Sequence, residues 1–149
     1  MGKSATYDNG MLLLLFQATT IANVAINATS SPLTNLYVAL HTADPTLSAG
    51  GGTIGTQNAS EISYTGYTRV AVARTSGGWT VTGASCSPVA AITFGASSGG
   101  TGGTASFWSV GAASSGASPM FYSGAISPTI AISSGVTPQL TAASTVTES

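Results

Sequence analysis

The sequence predicts an all-β fold: a β-sandwich of about seven or eight strands, jelly-roll-like or immunoglobulin-like in connectivity, with one short N-terminal helix. Three observations lead there. Apolar residues make up 43% of the chain, and over most of its length they fall in short runs with period-two alternation, the spacing that lines one face of a strand. Clusters of Gly, Ser, Thr and Pro interrupt those runs at short, regular intervals, as sandwich turns do. One apolar run, near the N-terminus, does not alternate.

That run, Met11-Leu12-Leu13-Leu14-Leu15-Phe16, is six residues long, with Asp8 before it and Gln17 after. A secretory h-region or a membrane span needs a longer stretch. The pattern predicts a helix over 10–25, capped by Asp8 or Asn9, laid on the core of a single domain covering 10–149. Residues 1–9 are polar and read as an arm able to reach a neighbouring copy. Beyond the helix, 27–32 reads as a loop.

Strands follow at 36–40, closed by the turn signal Asp44-Pro45, and at 67–75, where Tyr67, Arg69, Ala71 and Ala73 alternate with Val70, Val72 and Arg74. Ser76-Gly77-Gly78 reads as a hairpin turn that returns 79–82 as the partner of 67–75. Further strands are expected at 90–94, 105–110, 120–126, 129–132 and 139–146. Residues 46–60 lack periodicity and read as a long Gly/Ser/Thr/Asn loop. There is one Cys, so the paired cysteines of antibody-type domains are absent.

Charge is the feature that bounds function. Only seven side chains are formally charged, Lys3, Asp8, Asp44, Glu61, Arg69, Arg74 and Glu148, or 5% of the chain, where about a quarter is ordinary. So sparse a charge favours association with other protein. Three cations cannot form the basic patch that nucleic acid or an anionic membrane requires, so neither is expected as a partner.

Catalytic chemistry finds little support. His41 is the sole histidine and Cys86 the sole cysteine, too few for a His/Cys zinc site. No Gly-x-Ser-x-Gly elbow accompanies His41 and Asp44. Asp44 and Glu61, the conceivable acid pair, stand at opposite ends of the long loop. The glycine-rich stretches 50–56 and 99–104 lack the lysine of a phosphate loop. No catalytic, cofactor or metal residues are assigned, and no enzyme is expected. Glu61 and Arg69 flank Tyr64 and Tyr67, and a salt bridge there would fix the long loop against the sheet. Leu12, Leu15, Phe16, Tyr64, Tyr67, Trp79 and Trp108 are candidate interface residues, because aromatic and aliphatic anchors concentrate at subunit contacts. An exposed Trp79 or Trp108 would instead favour a carbohydrate-binding module, and a buried one would exclude that route.

The order of features also resembles a family of small tailed-bacteriophage virion proteins, labelled tail-fibre or head-decoration proteins. The resemblance rests on Leu36-Tyr37-Val38-Ala39-Leu40-His41-Thr42-Ala43-Asp44-Pro45, then Glu61, then Gly66-Tyr67-Thr68-Arg69-Val70-Ala71-Val72. Ala105-Ser106-Phe107-Trp108 and Met120-Phe121-Tyr122-Ser123-Gly124-Ala125-Ile126 follow in the same order. It implies a virion structural protein. The first expectation is a capsid decoration or cement protein that binds the major capsid protein and copies of itself, as a dimer or trimer, on the capsid surface. The alternative is a tail or head-fibre or connector component at the tail or a vertex.

Overall fold

A computed structural model describes residues 4–21 and 32–148. Among the described residues are one helix, α1 (Ala5–Gln17), and nine strands: β1 (Asn35–His41), β2 (Val70–Ala73), β3 (Trp79–Thr82), β4 (Ser85–Pro88), β5 (Ile92–Thr93), β6 (Gly103–Gly111), β7 (Met120–Ile132), β8 (Gln139–Leu140) and β9 (Val146–Thr147). The strands form three sheets, ordered β2-β1-β6-β7, β3-β4-β9 and β5-β8, and β1–β6, β6–β7, β3–β4 and β4–β9 pair antiparallel. The chain is all-β with one short helix, the sandwich class the sequence predicts. Contacts divide it into two compact units, residues 1–36, 72–91 and 140–149 in the first and 37–71 and 92–139 in the second.

The first unit is built around α1. The helix starts five residues before the apolar run suggests and ends at Gln17, so residues 5–9 are helical rather than part of an arm. Residues 22–25 of the expected helix lie outside the described residues, as do 1–3 of the expected arm. Capping explains the early start: Ser4 is extended, and its Oγ accepts from the Tyr7 backbone N–H at 3.2 Å, satisfying a donor that the first turn leaves open. The close comes from Ala18 in the left-handed region (φ 56°), with the Thr19 N–H reaching back to the Leu13 carbonyl at 3.1 Å. The helix has no basic residue in its last turn. Arg74 supplies that charge from elsewhere in the chain, donating to the Leu14 and Leu15 carbonyls, where the helix dipole is negative.

Asp8, Leu12 and Phe16 recur every four residues and are buried, so they form the inward stripe. The helix packs on β3 and β4, and the Phe16 ring meets the Trp79 indole edge-on at 4.7 Å between centroids. Gln17 donates to the Trp79 carbonyl at 3.0 Å. One expectation changes here. β3 pairs with β4, Trp79 opposite Pro88 and Thr82 opposite Ser85, whereas β2 belongs to the sheet of β1. The hairpin turn is Gly83-Ala84, with Gly83 at φ 59°, the glycine-first arrangement that suits a two-residue hairpin. The Ser85-Cys86-Ser87-Pro88 strand went unmarked because small residues ending in proline carry no β-propensity signal.

In the second unit β1 and β6 are the central strands. They pair with Tyr37 opposite Gly111 and His41 opposite Phe107, and their adjoining halves are buried on both faces. That explains why 36–40 and 105–110 read as nearly continuous apolar runs. β7 is one strand of 13 residues where the sequence suggests two.

Candidate functional site

The polar heart of the second unit lies where loop 42–69 meets the central strands. Residues 46–60 contain no strand, yet they are tied down throughout. The Asp44 carboxylate accepts from the Thr46 N–H and hydroxyl at 2.9 and 2.7 Å, and those bonds hold its pKa below the ordinary value. Asn58 Oδ1 accepts from the Thr53 N–H and the Thr56 hydroxyl. Ser60 donates through its N–H to Ala49 and through Oγ to Ser48. Ile62 then donates to the Leu40 carbonyl at 2.9 Å, which brings Glu61 beside β1.

Glu61 and Arg69 meet side-on. Arg69 Nε reaches Oε1 at 2.7 Å and Nη2 reaches Oε2 at 2.7 Å, the two-point geometry that makes a guanidinium–carboxylate pair strong. Tyr67 joins through its hydroxyl rather than by stacking, donating to Glu61 Oε1 at 3.0 Å and accepting from the Leu40 N–H at 3.1 Å. Burial, together with the Glu61 charge, pushes its pKa up.

Arg69 spends its remaining donors on the protein: Nη1 on the Ala113 carbonyl, Ser118 Oγ and, at 3.4 Å, Gln57 Oε1, and Nη2 on the Gly116 carbonyl at 2.7 Å. Gln57 extends the network. Its Oε1 also accepts from Ser118, and its Nε2 donates to the Tyr37 carbonyl and to Ser109 Oγ. A side chain at Gly111 would overlap the Gln57 amide, so glycine is required at that point of β6.

His41 completes the chain of bonds with no exposed surface. Its Nδ1 lies 2.8 Å from the Ala59 carbonyl and its Nε2 2.8 Å from Ser109 Oγ. A carbonyl only accepts, so Nδ1 carries the proton and Nε2 accepts from the serine hydroxyl. Burial lowers the His41 pKa, and nearby Arg69 acts in the same direction, against the Ala59 bond and the Glu61 and Asp44 charges. Both ring nitrogens are thus committed to holding the loop on the sheet, and Asp44 is committed to its own turn.

The candidate interface residues are distributed differently from a contact surface. Leu12, Phe16 and Trp79 have no exposed surface, and Trp108 and Tyr64 are buried at 5% and 6% exposure. Within the single chain they fill its own interior, and Leu15 and Tyr67 are half-buried. The burial of both indoles also closes the route to sugar binding through exposed tryptophan. Among the described residues the exposed large apolar side chains are Tyr7, Leu33, Leu47, Ile54 and Val89. Sequence reasoning missed Gln57, Ser109 and Ser118. The serines are hidden in a Ser-rich chain, whereas Gln57 is one of only three glutamines and offered a faint signal.

A cleft of about 350 Å³ opens beside this network, lined by Glu61, Ile62, Ser63, Tyr67, Thr68, Arg69 and residues 114–116. Among the described residues no three His, Cys, Asp or Glu side chains group to hold a metal. Cys86 is buried, which pushes its thiol up to about 12 and keeps it from acting as a nucleophile at neutral pH.

An all-β scaffold, an interior polar network that fastens a long loop and a nearly uncharged chain together describe a structural module. Residues 14–148 match the family model described as Podophage GP4 fiber I protein gp80, and the chain belongs to that family. No curated protein matches it.

Proposed function

We propose that this protein is a component of a virion fibre, a folded module that holds its place by contact with other protein copies and catalyses nothing. The observation that carries this reading is the family match across 14–148, whose description is that of a fibre protein. The geometry supports it. Leu47 and Ile54 are 77% and 53% exposed on a loop whose backbone is already immobilised by the bonds around Asp44, Asn58 and Ser60. Apolar side chains on a pre-ordered loop lose little further entropy on docking. With so few charges, such contacts are made by shape and apolar area rather than by electrostatic steering.

Electron microscopy of the intact virion tests the assignment. Copies confined to an appendage of the tail or a vertex are the expected result. A regular array of copies over the shell, bridging capsid subunits, would replace the fibre reading with a cementing one. Sedimentation of the purified chain is expected to reveal self-association that Leu47→Asp and Ile54→Asp weaken.

A further inference from the structure

We propose that the cleft beside Glu61 and Arg69 is a binding site for a neutral polyhydroxyl ligand, a sugar residue. The argument is one of which hydrogen-bonding capacity remains unused. The guanidinium of Arg69 is saturated: Nε and Nη2 serve Glu61, Nη2 also serves Gly116, and Nη1 serves Ala113, Ser118 and Gln57. It has no donor left for an anion. The Glu61 carboxylate is neutralised by that guanidinium, which removes most of its attraction for a cation. Its Oε2 nevertheless has, among the described residues, only Nη2 as a partner, and a carboxylate oxygen can accept two bonds.

The cleft therefore offers one fixed acceptor, with the exposed hydroxyls of Ser63, Thr68, Ser114 and Ser115 around it. Hydroxyls donate and accept, so this wall suits a ligand whose own groups do both. The half-buried Tyr67 ring contributes carbon surface for the C–H face of such a ligand. The volume is within the range of small-molecule sites. The acceptor is held rigidly by Arg69 and Tyr67, so little ordering is needed when a ligand arrives. This site needs no exposed tryptophan. It stands on the geometry of the second unit, whether the chain occupies a fibre or the shell.

The test is saturation-transfer NMR on the full chain with methyl glycosides of glucose, galactose, mannose and N-acetylglucosamine, and with lysine amide and acetate as charged controls. At least one glycoside is expected to bind with a roughly millimolar Kd, as a single sugar in a shallow site does. Ser115→Trp, at an exposed position, is expected to fill the cleft and weaken binding at least tenfold while leaving the melting temperature unchanged. Ser63→Arg serves if that variant does not fold. Absence of transfer from every glycoside overturns the proposal. So does transfer that survives a folded cleft-filling variant, or a preference for lysine amide or acetate over the sugars.

Discussion

The two units solve the same problem with opposite materials. The first is held by apolar contact: Leu12 and Phe16 from α1, Trp79 from β3, Cys86 from β4 and Val146 from β9 are all buried, and the indole Nε1 of Trp79 is buried with no hydrogen-bond partner among the described residues. The second carries a connected polar interior running from Tyr67 and Glu61 through Arg69, Ser118, Gln57 and Ser109 to His41 and Ala59. An apolar interior tolerates small shifts in packing. A polar one admits a single arrangement, because a lost partner leaves a buried group desolvated and unpaired. The long loop lacks a strand to define its path, and the polar network supplies that definition.

The largest expected effect comes from breaking the network at its hub. Arg69→Ala leaves the Glu61 carboxylate without its partner and should cost about 3–5 kcal/mol, read by urea unfolding. Adding Glu61→Ala to that variant should recover part of the loss, since the two residues form one unit. A double variant no more stable than Arg69→Ala would show that Glu61 is not the group left stranded.

Acid should separate the units by a smaller margin. The folded pKa of His41 lies below the ordinary 6.5 because the ring is buried, so the unfolded chain takes up the proton first. The contribution of His41 to stability is complete above about pH 6.5 and is lost as pH falls from there through the folded pKa. Protection against hydrogen exchange, corrected for the slower intrinsic rate in acid, should therefore fall around 41, 59 and 109 at pH 5 relative to pH 7. Exchange in α1 and β3 should change less, since the chain has no other histidine. His41→Gln should flatten the difference.

Cys86 offers the matching probe for the first unit. Its thiol, pushed up to about 12, should resist a disulfide reagent in the native chain, and the labelling rate should report opening of that unit. Rapid stoichiometric labelling without denaturant would contradict the burial of Cys86. The smallest effect is expected from Trp79→Phe. It loses part of the contact with Phe16 but also removes an unpaired buried donor, and the two opposing terms should leave stability within about 1 kcal/mol.

Legibility in the sequence follows the same division. Short apolar runs bounded by turn residues located β1, β6 and β7, because burial in a sheet concentrates apolar side chains in such runs. It missed β4, whose small residues carry no such signature, and it misassigned the partner of β3, because two hairpin signals stand close together at 76–78 and 83–84. The helix start depended on Ser4, a cap outside the apolar run. In the site, Glu61 and Arg69 stand out in the sequence only because charge is so rare. Uncharged members of the network have distant partners, as Gln57 has in Ser109 and Ser118, 52 and 61 residues away, and no local pattern encodes such a meeting.

Each unit is assembled from separated stretches of chain, 1–36, 72–91 and 140–149 in one and 37–71 and 92–139 in the other. During synthesis, which proceeds at about 5–20 residues per second, α1 and the β3–β4 hairpin emerge well before β9, the strand that pairs with Cys86. The earlier unit in sequence is thus the later one to close. No cut at a single point of the chain releases either unit intact, so fragments made by truncation are expected to report on broken halves of both.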